Sequence, residues 1–333
     1  KNTFLCPSTV AVILLALLPC FTACTGQANL DDSMALVMAL EERSAGPNKS
    51  EPIRFTTADK YSVPGPARFD LYFTKPGTSN TTWIDPVLDD ELVQLIGSAT
   101  TKVDISIFDF DRQNVIDALV EAKARGVVVR MVGDGDNVAE AGYSQLVAAG
   151  IPIVNRPAGS AIMHNKFVIV DGLYVWCGSA NLSDNDIIRN NNNALILQSA
   201  ELASLLTSEF NEMFVGGRFG SAKNPVLSAN QTVINGVTTE VYTGPAGNLM
   251  NEVLSRVDSA NLSVHFMIFT FTRADLKDRL LARKNAGVQV SGVMEELQAN
   301  GAYSQDDALV FGGVPVYIDG NYNSIGQGGG ILH

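Results

Sequence analysis

The sequence has 333 residues, of which 46% are hydrophobic and 17% are charged. This length is enough for two domains or one doubled fold, and the apolar content excludes a globally disordered chain. There are 23 Lys and Arg residues against 35 Asp and Glu residues, so the formal net charge is −12. An acidic chain is a poor general binder of nucleic-acid backbone, because that affinity comes largely from basic side chains. The four cysteines show neither a disulfide framework nor the Cys/His spacing of a zinc site.

The N-terminal segment has the pattern of an export signal. Lys1 precedes an apolar run at positions 10–18, which is too short to span a bilayer but fits the hydrophobic region of a signal peptide. Residues 21–24, Phe-Thr-Ala-Cys, resemble the lipobox of bacterial lipoproteins, although Leu is usual at the first position. The resemblance implies that residues 1–23 are removed, that Cys24 is lipidated, and that the protein is exported and anchored to a membrane of the cell envelope. A plain secretory signal with an incidental cysteine is the alternative.

Beyond this signal, short apolar strands alternate with amphipathic helices. Residues 24–65 are polar, with Gly-Pro and Pro-Gly pairs, and predict a tether. The elements predicted next are a strand at 69–73, a helix opened by Asp85 and Pro86, a strand at 103–110, a helix at 113–125, a strand at 127–132, a helix at 138–149, a strand at 151–154 and a helix at 200–213. This alternation predicts an α/β fold.

The pattern repeats after roughly 160 residues, which is typical of an internally duplicated fold. The matched stretches are 107–110 with 268–271, Gly126 with Gly287, 127–132 with 288–293, Tyr143-Ser-Gln145 with Tyr303-Ser-Gln305, and Gly150-Ile-Pro152 with Gly313-Val-Pro315. Two such copies usually pack about a pseudo-twofold axis as an internal pseudo-dimer. We therefore expect two α/β/α sandwich domains, at residues 66–215 and 231–333, joined by a linker at 216–230.

One segment of the first copy concentrates chemically unlike polar residues. They are His164, Lys166, Asp171, Gly178, Ser179 and Asn181. His164 and Lys166 are two positions apart in a predicted strand, so both side chains leave the same face. Asp171-Gly172 is a hairpin-turn signal, and the return strand ends at Gly178-Ser179, where small residues let backbone and hydroxyl approach a ligand. Imidazole, ammonium, hydroxyl and amide groups on one face make a site suited to a phosphate.

The spacing His-x-Lys-x4-Asp-x6-Gly-Ser-x-Asn resembles the HKD motif of the phospholipase D superfamily, and six fixed positions make it far more specific than a lone glycine pattern. The resemblance covers roughly residues 66–333 and implies a phosphodiesterase that needs neither a metal nor another cofactor. It implies that His164 attacks phosphorus to form a phosphohistidine. The implied supporting residues are Lys166 and Asn181 on the non-bridging oxygens, with Gly178 and Ser179 behind them, and Asp171 as the residue that holds the hairpin.

A second motif is expected after the last strand of the second copy. Ile162-Met163-His164 has an echo in Ile331-Leu332-His333, so the resemblance implies that His333 is the second histidine. That histidine would protonate the leaving alcohol and then activate water or a second alcohol. The rest of this motif does not follow in the chain as given, so we expect the second domain to be cut at its motif and the chain alone to be inactive. A homodimer that pairs two sites about a twofold axis stays open.

Four further positions are weighed against ordinary structural roles. Asn192 lies where a carboxylate that orients the nucleophilic histidine is expected, and a polar turn is the equal alternative. The two carboxylates in residues 133–137 predict a turn rather than a cation site. His265 alternates with apolar residues in a strand, which predicts packing, and Cys177 is expected to be a core thiol.

These observations predict a phospholipase D-type enzyme that hydrolyses or transphosphatidylates phospholipids at a membrane. The alternatives with the same motif are a metal-independent nuclease acting on nucleic acid and a cardiolipin-synthase-like phosphatidyltransferase. An alternative of another class is a catalytically inactive envelope lipoprotein. A basic groove beside His164 would favour the nuclease, because phosphate backbones are held by Lys and Arg.

Overall fold

The computed structural model describes residues 37–39, 60–74, 87–159, 161–224, 230–245, 249–319 and 330–332. Its strands are β1 Val37–Ala39, β2 Lys60–Ser62, β3 Phe69–Phe73, β4 Lys102–Ile107, β5 Val128–Asp134, β6 Ile153–Arg156, β7 Lys166–Val170, β8 Tyr174–Gly178, β9 Asn193–Gln198, β10 Gln231–Ile234, β11 Val237–Glu240, β12 Ser263–Ile268, β13 Gln289–Met294 and β14 Val316–Ile318. Its helices are α1 Val87–Gly97, α2 Gln113–Ala124, α3 Ala141–Ala148, α4 Asp184–Ile188, α5 Ala200–Phe214, α6 Leu249–Ser259, α7 Ala274–Asn285, α8 Glu296–Ala299 and α9 Asp306–Phe311.

Most of the predictions for the N-terminal segment concern residues that the structure does not describe. The predicted export signal and Cys24 lie outside the described residues, as does most of the predicted tether. Within the described ranges, none of the helices combines the length and the apolar character needed to cross a membrane.

The larger of two main sheets has eight strands in the order β2-β3-β9-β8-β7-β4-β5-β6. Strands β4, β5 and β6 are parallel, whereas β7, β8, β9 and β3 continue the sheet in antiparallel pairs. Alternate residues of β7 enter two different hydrophobic cores, with Val168 and Val170 in one and Phe167 and Ile169 in the other. The sheet is therefore buried on both faces, as expected for an α/β/α sandwich.

Burial on both faces also applies to β4, which lies between β5 and β7. Asp104 and Ser106 on this strand are both fully buried. Asp104 is tolerated there because Arg130 on β5 donates to both of its carboxylate oxygens, at 2.7 and 2.8 Å. The Arg130 guanidinium in turn lies over the rings of Phe210 and Phe214 on α5, so the ion pair is covered by that helix.

The smaller sheet repeats the parallel part of the larger one, in the order β1-β12-β13-β14. Lys102 pairs with Val128 between β4 and β5, and Ser263 pairs with Gln289 between β12 and β13, so both partners shift by 161 positions. The glycines that follow α2 and α7, Gly126 and Gly287, share the same φ of 92°. The α/β fold class and its duplication are thus confirmed.

One part of the predicted repeat is wrong. Tyr143 lies inside α3, is buried, and accepts a hydrogen bond from the backbone N–H of Asp134, whereas Tyr303 precedes α9 and is 69% exposed. The correspondence between α3 and α9 is given instead by the glycines that follow these helices, Gly150 and Gly313. Both glycines have positive φ, and they are 163 positions apart. The recurrence of Tyr-Ser-Gln is therefore not a structural equivalence.

Part of the predicted linker is tied back onto α5. Lys223 and Glu209 form an ion pair in which both side chains are buried. Beside it, Arg218 donates to both carboxylate oxygens of Glu212 at 2.8 Å. These contacts hold residues 216–224 against the last helix of the first copy.

Candidate functional site

The site is built where β4 ends beside the start of β7. The two strands are antiparallel, with Ile107 opposite Lys166, so the chain leaving β4 at Phe108 meets the chain entering β7. The Phe108 ring packs edge-on against the His164 ring, with centroids 5.1 Å apart and an interplanar angle of 66°. The Lys166 Nζ lies 5.7 Å from the centroid of the same Phe108 ring. The structure thus brings the His164 and Lys166 side chains together on one aromatic surface.

The two side chains differ in their access to solvent. His164 is half-buried, whereas Lys166 is only 2% exposed and its Nζ donates to the carbonyl oxygen of His164 at 3.2 Å. Taking an ammonium group out of water is unfavourable unless it is compensated by hydrogen bonds, aromatic faces or an anion. A buried ammonium beside an accessible imidazole favours the binding of a negatively charged group at the imidazole.

Asn181 is fixed by the loop after β4 and by α4. Its Oδ1 accepts a hydrogen bond from the backbone N–H of Asp109 at 3.2 Å, and its own N–H donates to Asp186 Oδ2 at 2.5 Å. Asp186 also accepts from the side-chain amide of Asn190. Because Asp109 directly follows Phe108, Asn181 is placed at the same end of the sheet as His164.

Gly178 and Ser179 both lie against the chain at Asn192 and Asn193. A Cβ at position 178 would lie 2.2 Å from the carbonyl oxygen of Asn193 on β9, so glycine is required by strand pairing rather than by a ligand. The Ser179 hydroxyl donates to Asn192 Oδ1 at 2.8 Å and accepts from the backbone N–H of Asn193 at 3.1 Å. Asn192 in turn donates to the carbonyl oxygen of Asp186 at 3.0 Å. These residues support the site by joining β8, β9 and α4.

Asp171 lies at the other end of β7, roughly 17 Å along the strand from Lys166. Its carboxylate accepts the backbone N–H groups of Thr100, Thr101 and Lys102 and both threonine hydroxyls, at 2.8–2.9 Å. Partial burial alone would raise the pKa of Asp171, but these donors outweigh it and hold the pKa well below the usual 3.8. Asp171 therefore fastens the β7–β8 turn to the start of β4.

His333 lies outside the described residues, but the two residues before it are described. The backbone N–H of Ile331 donates to Asn190 Oδ1 at 2.8 Å, and the carbonyl oxygen of Ile331 accepts from the backbone N–H of Asn191 at 2.8 Å. Asn191 and Leu332 form a parallel bridge. The end of the second copy thus lies against the asparagine run beside the first motif.

Sequence reasoning missed a pair of acidic residues at the edge of the site, Asp109 and Glu140. Glu140 Oε2 accepts the backbone N–H of Phe110 at 2.6 Å, and the Asp109 and Glu140 carboxyls are hydrogen-bonded to each other. Burial, followed by the nearby charge of Asp109, raises the pKa of Glu140 to about 8, and burial raises the pKa of Asp109 as well. The position of Asp109 directly after β4 is the only signal of this pair in the sequence.

The loop that follows Asp134, the last residue of β5, supports the site together with that residue. Asn137 donates to the carbonyl oxygen of Phe108 at 2.7 Å, and Asp134 accepts the backbone N–H of Met163 at 2.5 Å. These two hydrogen bonds join the chain after β4, at Phe108, to the chain before β7, at Met163.

Across the ranges given above, no three or more His, Cys, Asp or Glu side chains are grouped so that they could hold a metal ion.

Two other residues considered in the sequence analysis, His265 and Cys177, lie outside the site. His265 on β12 is exposed, with its Nδ1 2.8 Å from the Ser291 hydroxyl, so the expectation that it packs in the core is wrong. Cys177 is fully buried in a hydrophobic core, and burial raises the pKa of its thiol to about 12, as expected for an inert core residue.

Comparison with known proteins identifies the domain that carries this site. Residues 92–214 match the family model described as cardiolipin synthase, PLD-like domain. A mitochondrial cardiolipin hydrolase from Chlamydomonas reinhardtii is 29% identical over 131 residues, which are 39% of this chain and 58% of that protein. A mitochondrial cardiolipin hydrolase from Danio rerio is 34% identical over 122 residues, which are 36% of this chain and 53% of that protein. The chain thus spans a little over half the length of these relatives.

Among solved structures, the phospholipase D family member Nuc from Salmonella typhimurium is similar, with a TM-score of 0.37 and 24% sequence identity over 43% of this chain and 93% of Nuc. The residues matched by the family model contain every described part of the motif, from His164 to Asn192, together with the strands that position it. Residues 92–214, which carry this site, are therefore similar to a PLD-like domain.

Proposed function

We propose that the protein is a phosphodiesterase that cleaves phospholipids through a phosphohistidine intermediate on His164. The observation that carries this proposal is the contact of His164 and the buried Lys166 with the same Phe108 ring. Imidazole is a nucleophile and proton carrier near neutral pH, and an ammonium group beside it stabilises the charge that develops on a phosphoryl group.

The reaction proceeds in two displacements. The imidazole of His164 attacks phosphorus, a P–N bond forms, and the P–O bond to the headgroup alcohol breaks as that oxygen takes up a proton. Lys166 and Asn181 hold the non-bridging oxygens. Water or another alcohol then attacks phosphorus, loses its proton, and breaks the P–N bond to regenerate the imidazole. Splitting one displacement into two in this way is ordinary covalent catalysis.

We assign the proton transfers to His333, although it lies outside the described residues. The hydrogen bonds of Ile331 to Asn190 and Asn191 support this assignment, because they place the chain next to His333 beside the first motif. A histidine that donates a proton in the first step and accepts one in the second follows from microscopic reversibility.

Two observations support a phospholipid rather than a nucleic acid as the substrate. The whole chain carries a net charge of −12, whereas the backbone of a nucleic acid is held by clusters of Lys and Arg side chains. The relatives reported above are named as cardiolipin hydrolases, so we also propose cardiolipin as a substrate.

The proposal is tested with full-length protein in EDTA. Phosphatidylcholine vesicles with and without cardiolipin, and DNA in parallel, are incubated with wild type, with His164→Ala and with His265→Ala as the matched histidine control. We expect phosphatidic acid to be released by wild type and by His265→Ala, and the rate to fall by about 10³-fold or more in His164→Ala. Phosphate label that stays on wild type after an alkaline quench and is lost in acid would mark the phosphohistidine.

The outcomes separate the candidate functions. DNA cleavage that depends on His164, without lipid cleavage, would replace the phospholipid by nucleic acid. Lipid cleavage that survives in His164→Ala would contradict the proposed nucleophile. A wild type that cleaves neither lipid nor DNA would leave the inactive envelope protein as the better description.

We also propose that Cys24 carries a lipid that anchors the exported protein to a membrane. The pattern of residues 10–24 supports this, and an anchor would hold the site close to phospholipid substrate. Metabolic labelling with a fatty acid should mark wild type and not Cys24→Ala. Equal labelling of both proteins would contradict the anchor.

A further inference from the structure

Two carboxylates occupy equivalent places in the two copies of the repeat. Asp134 is the last residue of β5, and Glu295 directly follows β13, so the two residues are separated by the same 161 positions that relate the paired strands. Both side chains are almost completely buried, with 0% of Asp134 and 3% of Glu295 exposed. Buried carboxylates need hydrogen-bond donors, and their partners therefore indicate what they do.

In the first copy, the carboxylate holds the chain just before the motif. Asp134 Oδ2 accepts the backbone N–H of Met163 at 2.5 Å, and Oδ1 accepts the backbone N–H of Asp136 at 3.0 Å. Met163 is itself buried, and the next residue is His164. The hydrogen bond thus fixes the peptide from which the imidazole of His164 projects.

In the second copy, the equivalent carboxylate also accepts a backbone N–H group from a distant part of the chain. Glu295 Oε2 accepts the backbone N–H of Leu332 at 2.7 Å. Leu332 is 3% exposed, and the next residue in the sequence is His333. The two contacts connect residues 29 and 37 positions apart, so local chain geometry does not impose either of them.

We propose that Asp134 and Glu295 are positioning residues, one in each copy, that set the two motif histidines by capturing the backbone N–H immediately before each of them. The proposal rests on the function proposed above, because it assigns the two histidines to one reaction. Neither carboxylate touches the substrate in this scheme. They fix the direction of approach of nucleophile and proton donor, and displacements of about 1 Å can reduce a rate by about 10²-fold.

The surroundings of the two carboxylates predict which substitution has the larger effect. Arg156 Nη1 lies 3.7 Å from Asp134, so the first copy pairs the carboxylate with a guanidinium. Asp319 occupies the corresponding place beside Glu295, where burial raises the pKa of both carboxyls. An amide at position 134 keeps one acceptor but removes the carboxylate nearest to the Arg156 guanidinium, which Asp136 faces only at 4.0 Å. An amide at position 295 also keeps one acceptor, but it removes a like charge beside Asp319. Asp134→Asn should therefore cause the larger loss.

The test compares each amide variant with a control one or two residues away that removes the same charge. Asp134→Asn is matched by Asp136→Asn, whose side chain is 40% exposed and accepts from Gly159 rather than from Met163. Glu295→Gln is matched by the exposed Glu296→Gln. Hydrogen exchange of single amides and steady-state kinetics on the lipid substrate are measured for all four full-length variants.

We expect faster exchange at Met163 only in Asp134→Asn and at Leu332 only in Glu295→Gln. We expect kcat to fall about 10- to 100-fold in Asp134→Asn and less in Glu295→Gln, with KM within about threefold of wild type and both controls unchanged. If either amide variant fails to fold, Asp134→Glu and Glu295→Asp keep the charge and move the acceptor by one methylene group. These two variants should also lower kcat at constant KM.

Unchanged exchange at Met163 and Leu332, or an unchanged kcat in an active enzyme, would overturn the positioning role alone. A wild-type protein that cleaves no phosphodiester would overturn the proposed function, and with it the catalytic part of this proposal. The amide exchange would still report whether the two carboxylates hold these peptides, because it is measured without substrate.

Discussion

Gly178 at the end of β8 lies so close to the carbonyl oxygen of Asn193 that a Cβ at position 178 would come within 2.2 Å of it. Because the obstacle is backbone in a central pair of strands, it cannot turn aside as a flexible side chain could. The neighbouring Ser179 hydroxyl accepts the backbone N–H of Asn193, so any displacement of β9 also reaches the residues that support the site.

We therefore expect Gly178→Ala to lower the free energy of unfolding by about 1–3 kcal/mol. The measurement is chemical denaturation of wild type and variant. Gly97→Ala is the matched control, because nothing lies within 4 Å of a Cβ at the end of α1. That control should be neutral or slightly stabilising, since alanine restricts the unfolded chain. Equal stability of the two variants would contradict the close approach of β8 and β9.

Asp171 makes the stability of the β7–β8 turn depend on pH. Its pKa in the folded protein lies below the usual 3.8, so its contribution is present above pH 4 and is lost as the pH falls through the lowered pKa. Asparagine tolerates the positive φ of 53° at this position but has only one acceptor oxygen. Asp171→Asn should therefore lower the free energy of unfolding by about 1–3 kcal/mol at pH 7.

The difference between wild type and Asp171→Asn should shrink as the pH falls below 4, because the carboxylate of the unfolded chain then takes up a proton more readily than that of the folded protein, where the pKa is lowered. Unfolding curves at several pH values measure it. Asp278→Asn serves as the control, since Asp278 is 67% exposed and pairs with the neighbouring Lys277. A difference that stays constant down to the lowest pH would show that the charge of Asp171 is not what holds the turn.

The Asp109–Glu140 pair predicts the opposite pH dependence. The pKa of Glu140 is raised to about 8, so the stability gained from the shared proton is fully present below pH 4.5 and is lost as the pH rises towards 8. Glutamine can accept the backbone N–H of Phe110 and donate to Asp109, so Glu140→Gln keeps both contacts without the titration.

Glu140→Gln should match wild type near pH 5 and become relatively more stable above pH 8. Thermal unfolding across this range measures the effect, and Glu121→Gln on the exposed side of α2 is the control. A wild type whose stability does not fall relative to Glu140→Gln between pH 5 and pH 9 would contradict the shared proton.

The features that could be predicted from the sequence are those with local causes. The turn at Asp171 and Gly172 requires two residues with positive φ, and the structure has φ values of 53° and 63° there. One face of α1 follows from the 3.6-residue period of its apolar residues, and Leu88, Leu92, Leu95 and Ile96 on that face are buried. The structure brings the His164 and Lys166 side chains to the same Phe108 ring, although His164 precedes β7 rather than lying in that strand.

The features that could not be predicted from the sequence depend on contacts between distant segments. Asp104 is buried because Arg130 and two rings of α5 cover it, and no local sequence pattern predicts those partners. The same holds for Glu140, which binds the backbone of Phe110 across 30 positions. Supporting residues of the site were therefore missed whenever they came from another loop, although their own positions at strand ends were readable.

Lys166 gives a way to separate function from stability at the centre of the site. Its side chain is 2% exposed, and a buried ammonium group is a costly way to fill space in a fold. Methionine has nearly the same length, but the carbonyl oxygen of His164 loses its donor, so Lys166→Met should lower the free energy of unfolding by no more than about 1–3 kcal/mol. Phosphoryl oxygens would lose a cationic partner, and kcat/KM should fall about 10²-fold or more. Denaturation and lipid hydrolysis are measured on the same sample, with Lys123→Met on α2 as the control. Loss of stability with retained hydrolysis would show that Lys166 is a structural residue, because a group kept for catalysis must affect the reaction more than the fold.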